Sequence, residues 1–157
     1  MVGPRRRSRE VALQILHQID VGGDLDAALA LRSYFAHLST DGGPVADEEE
    51  PTDGPRADAR IDRALVEQLV TGVQSHRAEI DDLLTELSRN WRLERMAVVE
   101  RNVIRIALYE LKYAENVPVN VVLNEAIELA KRYGTAEGAA FTNGLLDRAV
   151  GELGVRR

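Results

Sequence analysis

The sequence contains no cysteine, which excludes disulfides, thiolate metal sites and a cysteine nucleophile. That composition agrees with a reducing, cytoplasmic setting. No apolar run approaches the ~18 residues that a membrane-spanning helix needs, and the first residues lack the apolar core of a signal peptide. No strand-like alternation and no internal repeat are visible, so there is no Gly-rich phosphate loop following a strand. The three histidines, His17, His37 and His76, fall on three different predicted helices without metal-ligand spacing. Serines and threonines occur without a His and carboxylate arrangement that would nominate a nucleophile. The reading is therefore of a non-catalytic protein with no metal and no cofactor.

What is present points to helix. Aromatic residues make up only 4% of the chain, while Ala, Leu, Glu and Arg are plentiful. With 157 residues, 45% of them apolar and 29% charged, the chain suits one soluble domain with a real core. Its most apolar uninterrupted stretch is Val98 to Tyr113. Stepping around it at about 100° per residue gathers Val99, Val103, Ile104, Ile106, Ala107, Leu108 and Leu111 on one broad arc. Tyr109 and Tyr113 extend the arc, with Asn102 between them. Arg101, Arg105 and Lys112 fall outside it as a narrow basic stripe. A helix apolar around most of its circumference is central to its domain. Glu100 and Glu110 break the pattern by pointing into the arc, where a carboxylate needs a partner.

The remaining elements fall in order around this hub. An amphipathic helix from Arg5 buries Val11, Ala12, Ile15, Leu16 and Ile19, and Gly22-Gly23 end it. A second, with Asp24 as N-cap, is read as buried through Leu25, Ala28, Leu29, Phe35 and Leu38. Residues 39–58 gather Pro, Gly and an acidic run, and read as a flexible acidic insertion. It is either a solvated spacer or an acidic arm competing for the arginines. Ile61, Leu65, Leu69, Val70 and Val73 mark a third helix, and Ile80, Leu83, Leu84 and Leu87 a fourth. Trp91 and Leu93 are expected to plug a gap between helices. After the hub, Pro118 fits the first turn of the next helix, which buries Val119, Val122, Leu123, Ala126, Ile127 and Ala130. Gly134 reads as its C′ residue, and Thr135 caps a last helix presenting Phe141, Leu145, Leu146, Ala149 and Val150. Gly144 within it is expected to permit close packing.

The net charge of −6 is unevenly spread. Arg5, Arg6, Arg7 and Arg9 crowd one end, where the chain passes from a loose terminus into a helix. Guanidiniums bind phosphates bidentately and stack on bases, so the cluster suits single-stranded RNA. The plainer reading is a basic tail that aids solubility. Tyr133 and Phe141 flank the Gly134 turn with Lys131 and Arg132 nearby. They read either as core or as a stacking surface for unpaired bases. Glu137 there must face elsewhere or meet a base edge.

The run Glu100 to Leu111, then Val117-Pro118, Asn124-Glu125-Ala126-Ile127-Glu128-Leu129-Ala130-Lys131, Gly134, and Phe141 to Asp147, resembles the bacterial NusB family of transcription antitermination factors. The start Arg5-Arg6-Arg7-Ser8-Arg9-Glu10 resembles that family's N-terminus, and the match covers nearly all of residues 1–157. The resemblance implies an all-α fold of about seven helices in two packed three-helix subdomains. It implies a role in ribosomal RNA transcription, binding boxA RNA together with the ribosomal protein NusE and, through it, the RNA polymerase elongation complex. Matched positions give Arg5, Arg6, Arg7, Arg9, Tyr133, Glu137 and Phe141 as RNA contacts, and His17, Val21 and Glu100 as the partner side. Two departures stand out: the acidic 39–58 insertion, and His17 where the family commonly has an aromatic residue. The alternative function is a helical protein–protein module, homodimeric or adapter-like, with incidental RNA affinity.

Overall fold

The computed structural model of the chain describes residues 4–23, 25–41, 61–89, 91–114 and 116–155. They form α1 (Pro4–Val21), α2 (Ala27–Asp41), α3 (Arg63–Ser75), α4 (Arg77–Ser88), a 3₁₀ turn (Leu93–Arg95), α5 (Val98–Tyr113), α6 (Val119–Tyr133) and α7 (Ala136–Leu153). No strand occurs among the described residues, as the composition led one to expect. The chain divides into two compact units, Met1–Thr71 and Gly72–Arg157. Residues 42–58 of the acidic segment, and Asp24, lie outside the described residues.

In the first unit α1 packs on α2. Pro4 opens α1, where its missing N–H costs no hydrogen bond, and Val11, Ala12, Ile15, Leu16 and Ile19 are buried as the periodicity demands. Ser8 is fully buried, and its Oγ accepts the Asp62 N–H at 2.8 Å. The Asp62 carboxylate in turn accepts the Leu65 N–H at 3.1 Å and caps α3. The phase of α2 differs from the sequence reading. Asp26 is its cap, with Oδ1 accepting the N–H groups of Ala28 and Leu29 at 2.8 and 3.2 Å. The helix buries Ala30 and Leu31 and leaves Ala28 and Leu29 exposed, as is Leu25 before it. Arg63 lies over the Phe35 ring, 4.1 Å from its centroid.

The second unit is built around α5, which touches α4, α6 and α7. Its arc is buried as expected, with Val103, Ile104, Ile106, Ala107 and Leu108 at its heart. Arg105 is the correction: it belongs to no surface stripe but is buried. Its Nε and Nη2 donate to the two oxygens of Asp81 on α4 at 2.8 and 3.1 Å, and its Nη1 donates to Asn102 Oδ1 at 3.0 Å. Asn102 Nδ2 donates to the Val98 carbonyl at 2.9 Å. A planar guanidinium matched to a carboxylate gives the strongest class of neutralised pair. Glu110 is buried as well, as the wheel required.

The turn from α3 to α4 is held by rings. His76 stacks on Tyr113 at 3.9 Å and Tyr109 lies 5.7 Å from Tyr113. The Tyr109 ring occupies the space a side chain at Gly72 would need. Tyr113 donates its hydroxyl to Glu79, which pushes the phenol up to about 12 and lowers the Glu79 carboxyl.

Three further positions depart from expectation. Trp91 plugs no gap but is 53% exposed, while Met96 beyond the 3₁₀ turn is buried. Pro118 is the N-cap of α6 and not its first helical residue. Gly144 faces open space, so no close packing depends on it.

Two outcomes follow from these contacts. Asp81→Ala strands the buried Arg105 charge and should cost about 3 kcal/mol, seen as a lower Tm. The double variant Asp81→Ala/Arg105→Met should lose clearly less. In an alkaline absorbance titration one phenol should ionise near 12, a phase that Tyr113→Phe abolishes and Glu79→Gln moves toward 10. Because the folded pKa is the higher one, this contact's stabilisation is full below about 10 and is lost as pH climbs through 12.

Candidate functional site

The arginine cluster lies on the first two turns of α1, within the helix expected from Arg5 onward. Consecutive helical residues point about 100° apart, so the four side chains cannot share one face. Arg5 is exposed, Arg6 and Arg7 are half-buried, and Arg9 is only 2% exposed. Arg9, unlike the other three, therefore presents almost no surface to a phosphate. Arg7 Nη1 donates to Glu10 Oε2 at 3.0 Å, with the Arg7 side chain 20% and the Glu10 side chain 2% exposed. At the far end of α1, His17 and Val21 lie one turn apart on one face. His17 is half-buried and Val21 is exposed, as are Leu25 and Leu29 beyond it. Sequence reasoning placed these two leucines in the core and so missed an apolar surface.

In the second unit a cleft of ≈ 330 Å³ opens among Trp91, Arg95, Glu100, Glu137, Gly138 and Phe141. Three elements supply it: the turn before α5, the first turn of α5 and the start of α7. Thr135 Oγ1 accepts the Gly138 N–H at 3.0 Å and fixes the entry of α7. Glu100, 7% exposed, lies against that entry. A Cβ on Gly138 would collide with its carboxylate, and one on Gly134 would stand 3.1 Å from Oε1. Gly134 has φ −112° and is no left-handed cap; a Cβ there would meet the Ala130 carbonyl oxygen at 2.8 Å before it reached Glu100. The positive end of the α7 dipole favours an anion at this spot.

The structure thus brings together Glu100, Glu137 and Phe141, which the sequence had divided between two ligands. Tyr133 is not among the residues that line this cleft. It ends α6, partly exposed, with the Arg132 guanidinium 5.7 Å from its ring centroid. The exposed Trp91 and Arg95 were not anticipated. Their only signal was an aromatic residue and basic residues in a short connection too polar to be core. Two carboxylates and one guanidinium line the cleft, and with Glu100 already at the positive end of α7 its charge favours a basic or amphipathic partner over a phosphate. Among the described residues no group of His, Asp and Glu could hold a metal ion, and no helix is long and apolar enough to cross a membrane.

Comparison with known proteins gives consistent results. The NusB family matches residues 6–150. "Transcription antitermination protein NusB" from Myxococcus xanthus is 45% identical over 147 residues, covering 94% of both chains. The solved structure of T. maritima NusB is 32% identical with a TM-score of 0.72, covering 97% of this chain and 94% of that one. A crystal structure of the antitermination factors NusB and NusE in complex with dsRNA aligns at TM-score 0.71 and 21% identity, covering 97% of this chain and 99% of that one, and so shares the fold.

The close seat of Glu100 on α7 is open to a double-mutant test. Gly138→Ala should displace the carboxylate and cost roughly 1–3 kcal/mol in chemical denaturation. In a Glu100→Ala background the same change should cost clearly less. Strictly additive losses would show that the two residues do not press on one another.

Proposed function

The chain belongs to the NusB family, and from that membership we propose that it is a non-catalytic, cytoplasmic transcription antitermination factor. In this reading it binds single-stranded boxA RNA of ribosomal RNA operons together with NusE. Through NusE it reaches the RNA polymerase elongation complex. The observation that carries the reading is the guanidinium cluster at the start of α1, set in a chain whose net charge is −6. An overall acidic protein approaches a polyanion only through a local basic patch. Arg5, Arg6 and Arg7 are the phosphate contacts, and the Arg132–Tyr133 pair offers a ring and a cation to an unpaired base.

The cleft has the opposite character. Glu100 and Glu137 disfavour phosphate, while Trp91 and Phe141 offer the aromatic surface typical of protein interfaces. We therefore assign Glu137 and Phe141, with Glu100, to the NusE side. His17 and Val21 remain on the partner side, Val21 offering apolar area and His17 a polar tip.

A titration with boxA RNA and a scrambled control, with and without NusE, tests the function. Affinity should fall with salt, with a slope of roughly −0.7 per phosphate contacted on a single strand. Arg5→Ala/Arg6→Ala should bind severalfold more weakly with an unchanged thermal melt. Equal affinity would remove the arginines from the site. Phe141→Ala should weaken NusE binding about tenfold while leaving RNA binding by the free protein near its parent value. The exposed Val21, Leu25 and Leu29 favour one rival reading, a self-associating helical module. A homodimer by light scattering that NusE fails to dissociate or bind would support that rival.

A further inference from the structure

We infer that Glu10 is a positioning residue, which holds the Arg7 guanidinium in a set plane for a phosphate and offsets its charge. The inference rests on the proposed RNA-binding role of the α1 arginines and distinguishes among them. Arg7 is accessible over 20% of its side chain, whereas Glu10 is 2% accessible. The Glu10 carboxylate is therefore in no position to be read by a ligand itself. It grips Arg7 Nη1 at 3.0 Å from three residues further along the same helix. The guanidinium is planar, with five N–H donors in a rigid fork, so fixing one nitrogen restricts the plane of the whole group.

Glu10 belongs to a turn that is buried throughout, with Ser8, Arg9 and Val11 beside it in the chain. Ser8 ties this turn to Asp62 at the head of α3 through a 2.8 Å hydrogen bond. The anchor beneath Arg7 is thus part of the first unit's core, while the group it orients reaches the surface. Two consequences separate such an arrangement from a free surface arginine. Arg7 loses less side-chain freedom on meeting a phosphate, because that freedom is already restricted. Its charge is also offset by a carboxylate one turn away, so its contact releases fewer counterions than that of an arginine with no such neighbour.

The experiment measures the affinity of the full chain for single-stranded boxA RNA between 0.05 and about 0.5 M salt, alongside thermal melts. Glu10→Gln keeps the shape and one acceptor but removes the charge. It should steepen the salt slope by up to roughly 0.7, because the Glu10 carboxylate no longer offsets the Arg7 charge. At the high-salt end, where screening mutes charge, it should bind severalfold more weakly than the parent because the orientation is loosened. A slope and a high-salt affinity both equal to the parent's would overturn the inference, whatever the melt shows. Should Glu10→Gln fail to fold, Arg7→Lys decides, since it keeps the charge balance but not the planar fork. It should lose severalfold in affinity with no change in slope, and parent-like affinity would overturn the inference. A parent chain with no measurable or no salt-dependent RNA affinity would instead reject the underlying RNA-binding role, a result distinct from either.

Discussion

The second unit depends on one constraint: α5 is enclosed on most sides, so each buried polar group it carries must find its partner inside the protein. Arg105 meets this demand by gripping both oxygens of Asp81 and the amide oxygen of Asn102. Among the described residues no buried side-chain nitrogen or oxygen lacks a partner. The consequence is geometric more than energetic. Hydrophobic packing by itself would tolerate some sliding of α4 along α5, whereas a bidentate guanidinium–carboxylate pair allows one register. In the first turn of the same helix Glu100 lies at the entry of α7, against Gly138, whose missing side chain makes the space. The polar exceptions on an apolar helix thus fix where its neighbours sit, and the position of α7 in turn shapes the cleft.

Much of this was legible from sequence, and the failures have specific physical causes. Helical periodicity located α5 and its buried arc, because a sequence that is apolar around most of a helix has one stable place to go. The same wheel put Arg105 outside with Arg101 and Lys112. A wheel sorts residues by angle and cannot see that Asp81, 24 positions away, stands opposite to neutralise one of them. On α2 two readings failed, the cap and the buried face. Asp24 and Asp26 are both good N-cap residues, and the later one caps; separately, Ala28-Leu29 and Ala30-Leu31 are equally apolar, so periodicity could not tell which pair is buried. Thr135 was read correctly because a single capping residue precedes α7 and leaves no choice.

The candidate surfaces were legible as residues but not as groups. Arg5, Arg6, Arg7 and Arg9 form one cluster in sequence, yet on a helix they diverge in angle and Arg9 turns inward. Glu100, Glu137 and Phe141 are far apart in sequence and share one cleft. Family resemblance nominated each of the three without saying that they meet. Charge then distinguishes the surfaces in a way the linear sequence did not. Trp91 illustrates the limit of composition: an isolated Trp is ordinarily assigned to the core, and only its setting in a polar connection argued otherwise.

Under the proposed function, this distribution of charge also accounts for the need for a partner. With Arg9 inside the fold and Arg7 offset by Glu10, the start of α1 offers fewer effective cations than its sequence suggests. A chain of net charge −6 with so small a basic patch gains little from general attraction to a polyanion, and what it gains fades with salt. Selective binding at physiological ionic strength then has to come from added contacts. A second protein seated on a separate, acidic and aromatic cleft can supply them without competing for the arginines. Two weak contacts to one RNA, joined through a protein–protein interface, act as a single tight one because the second binding step becomes intramolecular. An acidic adapter with a small basic patch thus favours joint recognition over binding on its own. For a factor working among abundant RNA, weak affinity in isolation is what makes the combined complex selective.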